Sequence, residues 1–160
     1  MAEWPEPVER VAAVIRGAAV DARIEQFAEG AATARDAARV IGCELSQIVK
    51  SLVFVCDGAF ALALVPGDQR ANEAAIAAAT GAESVRVATA DEVMFATGFA
   101  PGGVAPFPLR AVTRTLMDGS FLQHQVVWIG AGTEEYMASI APHELQRLTS
   151  AAAVDLITPR

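Results

Sequence analysis

The stretch Leu45-Ser46-Gln47-Ile48-Val49-Lys50-Ser51-Leu52-Val53-Phe54-Val55 decides how this chain is read. Its β-branched and aromatic residues run without regular polar alternation, which predicts a strand covered on both faces. Lys50 stands at the leading end of that strand. It is the only lysine in the sequence; the other basic residues are arginines. An ammonium at the edge of a core is partly desolvated. That favours its neutral form and strengthens its interaction with a bound anion or carbonyl. The same position also suits a lysine that snorkels from a strand end to solvent.

Working outward, Cys56-Asp57-Gly58-Ala59 carries the Asp-Gly hairpin signal. Residues 60–65 should therefore pair antiparallel with 51–55, up to Pro66-Gly67-Asp68. Upstream, Thr33-Ala34-Arg35-Asp36 has the form of a capping box with Asp for Glu, opening a helix that stops at Gly42. Residues 29–32 form a loop, 23–27 a short extended segment, and 5–19 a helix with Val8, Val11, Ala12, Ile15 and Ala19 on one stripe.

Downstream, Asn72 caps a helix ended by Gly81, and residues 85–87 form a short strand. Thr89-Ala90-Asp91-Glu92 is a full capping box for a helix ending near Thr97. Three prolines and two glycines make residues 99–109 irregular. Strands are expected at 110–115, 126–129 and 136–140, with a turn or short helix at 117–121. Pro142 starts a helix to about Leu148, and a last short element falls at 154–157. Short strands, hairpins and interspersed helices indicate one α+β domain over residues 1–160, with a mixed, largely antiparallel sheet.

Composition narrows the function. The 160 residues are 53% apolar and 19% charged, with a formal charge of −7. Disorder is excluded, and so is a protein that grips long nucleic acid through many cations. Contact with a short nucleic-acid end needs only a few arginines. Cys43 and Cys56 lack zinc-ligand spacing and are too few for a disulfide scaffold. The N-terminal residues lack a signal-peptide pattern, and no apolar run could span a bilayer. A cytoplasmic protein with no membrane association is expected.

His124 and His143 are far apart, with no carboxylate or thiol at ligand spacing, so no metal site and no cofactor is expected. The chain has no Gly-x-Ser-x-Gly elbow, P-loop or dinucleotide fingerprint. What remains is Lys50 and two glycine-rich segments. Gly102-Gly103-Val104-Ala105-Pro106 has the form Gly-x-x-x-Pro, which can aim successive N–H groups at a developing oxyanion; it also reads as a plain proline-rich connector. Gly130-Ala131-Gly132 offers a second close backbone approach, or a tight turn.

These pieces together resemble the YbaK family, the free-standing and synthetase-inserted editing domains that deacylate mischarged aminoacyl-tRNA. The resemblance runs through residues 33–42, 47–54, 64–68 and 97–106, in matching order, and covers roughly residues 22 to 150. It implies a barrel-like mixed sheet with surrounding helices. It also implies a pocket for the 3′-terminal adenosine of tRNA and its esterified amino acid. The family lysine corresponds to Lys50 and the family loop to Gly102, Gly103, Val104, Ala105 and Pro106, as the catalytic set. Phe27, Thr33, Ser51, Gly130, Ala131, Gly132 and Met137 correspond to the substrate-binding set. Some relatives carry an acidic or histidine side chain where Met137 stands, which leaves the choice of substrate open.

The reaction so implied is hydrolysis of the aminoacyl ester by water. The loop N–H groups would stabilise the oxyanion, Lys50 would supply positive charge, and the neighbouring ribose hydroxyl would take or relay the proton. A small, uncharged amino acid such as alanine on tRNA for proline fits the apolar lining. The expected partners are the aminoacyl-tRNA 3′ end and a cognate synthetase. Two other readings stand beside this one. The fold could serve as an inactive module that binds a tRNA end, a nucleotide or a synthetase, or as a structural domain whose Lys50 only solvates a strand end.

Overall fold

The computed structural model describes residues 4–31 and 33–157. Ala32 of the expected loop, and the first three residues of the stretch read for a signal peptide, lie outside them. Helix α1 (Glu6–Ala18) buries Val8, Val11, Ala12 and Ile15 of the expected stripe, whereas Ala19 falls past the helix end as its exposed C-cap at φ 55°. After strand β1 (Arg23–Gln26), helix α2 (Ala34–Ile41) is capped as read: Thr33 Oγ1 accepts from the Asp36 amide at 3.0 Å, and Gly42 ends the helix at φ 81°. A 3₁₀ turn at Leu45–Gln47 then delivers the chain into β2 (Val49–Cys56).

Strands β2 and β3 (Ala59–Pro66) form the expected hairpin, with Lys50 opposite Val65. Asp57 and Gly58 take positive φ, as the two-residue turn requires, and the Asp57 carboxylate accepts from the amides of Glu83 and Ser84. Helix α3 (Glu73–Thr80) is capped by Asn72, and β4 (Val85–Val87) follows. Helix α4 (Ala90–Thr97) starts with the Thr89–Glu92 capping box. The remaining elements are β5 (Val112–Asp118), a 3₁₀ turn at Gly119–Gln123, β6 (Val127–Gly130), β7 (Tyr136–Ile140), α5 (Pro142–Thr149) and β8 (Ala152–Val154).

Five strands make one sheet in the order β4-β2-β3-β5-β8, and three make another in the order β1-β7-β6. Among the described strands the β3–β5 and β5–β8 pairings are parallel and the others antiparallel. An isolated bridge between Ile48 and Trp128 ties the two sheets together without closing them into a complete barrel. The mixed, largely antiparallel α+β arrangement is therefore present, as two linked sheets.

Strand β2 is covered on both sides, which explains its lack of polar alternation. Val49 and Val53 join the main core with α1, Phe99 and Ile129. Phe54 and Cys56 join a second cluster beneath Ile76 of α3. Ala31, Ala37, Ile48 and Met137 form a third cluster where α2 meets the two sheets.

Two boundaries differ from expectation. Met117 was expected in a turn but lies inside β5, fully buried and opposite Ala153 of β8. The Asp118 carboxylate extends that junction by accepting from the Leu156 amide. The last strand falls at 152–154 rather than 154–157, while Ile157 bridges to Ala71. Both differences come from parallel, long-range pairing, which leaves no local pattern.

Candidate functional site

The bridge between the sheets places the start of β2 beside the ends of β6 and β7, with α2 across the top. A cavity of about 340 Å³ opens there. Thr33, Ala34 and Ala37 line it from α2 and its cap, Ile48 to Leu52 from β2, Gly102 and Val104 from the irregular loop, and Gly130 and Met137 from the second sheet. Lys50 and the Gly-x-x-x-Pro loop thus face the same hollow.

The Lys50 side chain is half-buried, and its Nζ donates to the Gln69 carbonyl at 2.5 Å. Burial pushes the ammonium below the ordinary lysine value; the Asp68 carboxylate opposes that shift and the Arg70 guanidinium adds to it. Next to it, the Ser51 hydroxyl oxygen is buried with no hydrogen-bond partner. A buried polar atom left unpaired costs free energy, so an unpaired hydroxyl on a cavity wall marks a place where a ligand can supply the missing partner. Thr33 is more constrained, because its oxygen already caps α2.

The loop reaches the cavity only because glycines let two backbones close on each other. A Cβ on Gly130 would stand 2.4 Å from the Val104 carbonyl oxygen. One on Gly103 would stand 2.8 Å from the Gly132 carbonyl oxygen, and one on Gly132 would strike the Pro7 backbone at 2.7 Å. Gly102 sits at φ 89°, where glycine is favoured. Gly103 thus lets the loop pack against the β6–β7 turn, and Gly132 lets that turn pack against the start of α1, in keeping with the connector and tight-turn readings of the two segments. The Gly103 amide donates to the Ala100 carbonyl within the loop. Among the described residues the Gly102 and Val104 amides make no hydrogen bond, and both residues line the cavity, which leaves them available to an acceptor.

Of the residues singled out from sequence, Lys50, Ser51, Thr33, Gly102, Val104, Gly130 and Met137 line the cavity. The others stand behind it. Ala105 is wholly buried, and Ala131 is a core residue whose amide donates to the Tyr136 carbonyl. Pro106 lines a separate hollow of about 600 Å³ on the far side of the loop. Phe27 packs edge-on against Trp128, at 6.1 Å between ring centroids, in the cluster that forms the cavity floor. The alanines at 31, 34 and 37 were not singled out, although the Ala34/Ala37 spacing puts both on one helical face. Asp68, Gln69 and Arg70 were not recognised as neighbours of Lys50.

No histidine, cysteine or carboxylate side chain is among the lining residues, and no cluster suited to a metal ion occurs among the described residues. What the cavity offers is one cation, one unpaired hydroxyl, free amides and a small apolar floor. That set can hold an acyl group and stabilise negative charge on it.

The model of the aminoacyl-tRNA editing domain matches residues 28–148, a span that holds every lining residue. The chain belongs to the aminoacyl-tRNA editing domain family. Among solved structures, this editing domain superposes with a TM-score of 0.91 on a protein proposed as a trans-editing enzyme for prolyl tRNA synthetase, at 32% identity over 98% of this chain and 100% of that one. It is 35% identical over 100 residues to the proline–tRNA ligase of Nitratidesulfovibrio vulgaris strain DP4, a match that takes in 62% of the editing domain and 17% of the ligase. It is 29% identical over 126 residues to the uncharacterized protein YwhH of Bacillus subtilis, covering 79% and 80% of the two chains. The editing domain is therefore related to prolyl-tRNA synthetase editing proteins, and spans about a sixth of the ligases it matches. No helix among its described residues is long and apolar enough to cross a membrane.

Proposed function

We propose that this editing domain hydrolyses the ester bond of a mischarged aminoacyl-tRNA, acting in trans as a deacylase. The observation that carries the reading is the convergence of Lys50 and the Gly102–Val104 backbone on one cavity. The 3′-terminal adenosine and its acyl group enter it, and water attacks the acyl carbonyl. Negative charge then builds on the carbonyl oxygen. The Gly102 and Val104 amides of the lining loop donate to that oxygen, and the Lys50 ammonium adds positive charge beside it. The ester is already activated, so the chain needs no nucleophile of its own. The neighbouring ribose hydroxyl of the substrate takes or relays the proton, which suits a lining without histidine or carboxylate.

Met137, Ile48 and the three alanines form a floor for a small, uncharged side chain. Alanine on tRNA for proline fits that floor, and the kinship with proline–tRNA ligases supports that tRNA. A synthetase pocket separates residues differing by a methylene by only about 1–3 kcal/mol, so such an error needs a second sieve. The cognate synthetase is the natural partner, and the cytoplasm, where translation runs, the natural place.

The lack of a protein base in the cavity favours one rival, a module that binds an acylated tRNA end without turnover. Purified protein tested on a panel of mischarged tRNAs separates the two. Release of a small amino acid above the uncatalysed rate supports the deacylase. Binding without release across the panel supports the module.

A further inference from the structure

Lys50 does not stand alone at the cavity mouth. Its Nζ donates to the Gln69 carbonyl, so the peptide that leads into Arg70 is held against the ammonium. The turn carrying Arg70 is pinned on both sides. The Gly67 amide donates to the Ile48 carbonyl, and the Asn72 amide to the Leu156 carbonyl. Gly67 lies so close to α2 that a Cβ on it would be 2.9 Å from the Cβ of Ala34, a residue of the cavity wall. The turn is thus held against two residues of the cavity wall, Lys50 and Ala34.

Arg70 is exposed and makes no ion pair or hydrogen bond among the described residues. Its charge acts on Lys50, where the neighbouring Asp68 carboxylate opposes it. An exposed guanidinium without a partner among the described residues, on a turn tied to Lys50, is open to an anion from outside the chain. A guanidinium presents a planar fork of donors that matches two oxygens of a phosphate.

We propose that Arg70, beside Lys50, forms a phosphate-binding rim that takes an internucleotide phosphate of the strand whose acylated end enters the cavity. Arg70 is a positioning residue: it holds the strand and does not touch the reacting carbonyl. The identity of the strand rests on the deacylase reading. The phosphate site itself does not.

The test compares parent and Arg70→Ala protein on two substrates with the same ester, full-length mischarged tRNA and an aminoacyl-adenosine without any phosphodiester. On tRNA the variant should lose about tenfold in kcat/KM, through KM, and its log–log salt slope should fall by about one. On aminoacyl-adenosine it should match the parent, and Arg70→Lys should recover part of the loss on tRNA. Equal loss on both substrates, or no loss on tRNA, overturns the proposal. If the parent hydrolyses neither, the deacylase reading fails and binding decides the rim separately. A short RNA hairpin with a tRNA acceptor end should then bind the parent about tenfold more tightly than Arg70→Ala. No binding of the hairpin by the parent, or equal binding by both proteins, overturns the rim.

Discussion

The carbonyl oxygen of Val104 occupies the space where a side chain at residue 130 would begin, 2.4 Å from a Cβ placed on Gly130. The wall of the cavity is therefore set by one missing atom. The contact is backbone to backbone, so nothing flexible can move aside. Gly130→Ala should push the loop off the β6–β7 turn and cost roughly 1–3 kcal/mol, as overpacking does. Thermal unfolding measures the loss, and deacylation should fall with it because the Val104 amide moves. An alanine variant with the parent's stability and rate would show that the loop position is not set here.

Ser51 should separate stability from function. Its hydroxyl is buried without a partner, so Ser51→Ala removes a desolvation cost and should raise stability by up to about 1 kcal/mol. The same change should lower kcat/KM by about fivefold, the worth of one net hydrogen bond of ~1 kcal/mol. A variant that is both less stable and fully active would mean the hydroxyl is satisfied within the fold.

Lys50 should set the pH dependence of the proposed reaction. Burial lowers its pKa from the ordinary 10.5, and the account uses the charged form. The ratio of parent to Lys50→Ala rates cancels the base-catalysed hydrolysis of the ester itself. That ratio should be constant at neutral pH and fall as pH rises through the depressed pKa, below 10.5. A ratio that rises with pH would make the neutral amine the active form.

Far from the cavity, Glu92 gives a stability test. The Arg86 guanidinium and the Thr89 amide hold its carboxyl at about 2, against an ordinary 4.5. A depressed carboxyl pKa contributes stability above the unfolded value and loses it as pH falls through the folded one. Glu92→Gln should therefore unfold at lower temperature than the parent at pH 7. The gap should close between about 4.5 and about 2. A gap that persists below that window would point to packing rather than charge.

The parts of the fold that were legible are those with local causes. Thr33, Asn72 and Thr89 announce their helices because a cap is a short-range hydrogen bond, and Asp57-Gly58 announces its hairpin because the turn needs positive φ. Met117 was misplaced because its strand is held by a parallel neighbour 36 residues away, at Ala153. The site was half legible for the same reason. A lone lysine in an apolar strand is visible in one dimension, and the family motif brought the loop to it. The alanine floor and the Arg70 turn become part of the site only through the way α2 and the β3 end fold back on β2. The Gly130-Ala131-Gly132 segment was read as a close approach to a ligand or a tight turn; Gly130 lines the cavity, and both glycines also admit a neighbouring backbone.

The most direct test of the central claim is the rate at which Lys50→Ala protein, shown to be folded, releases alanine from mischarged tRNA for proline beside the parent. The account predicts a parent well above the uncatalysed rate and a variant slower by on the order of 100-fold, as when a charge-stabilising group is removed from a carbonyl site. A variant as fast as the parent would contradict it.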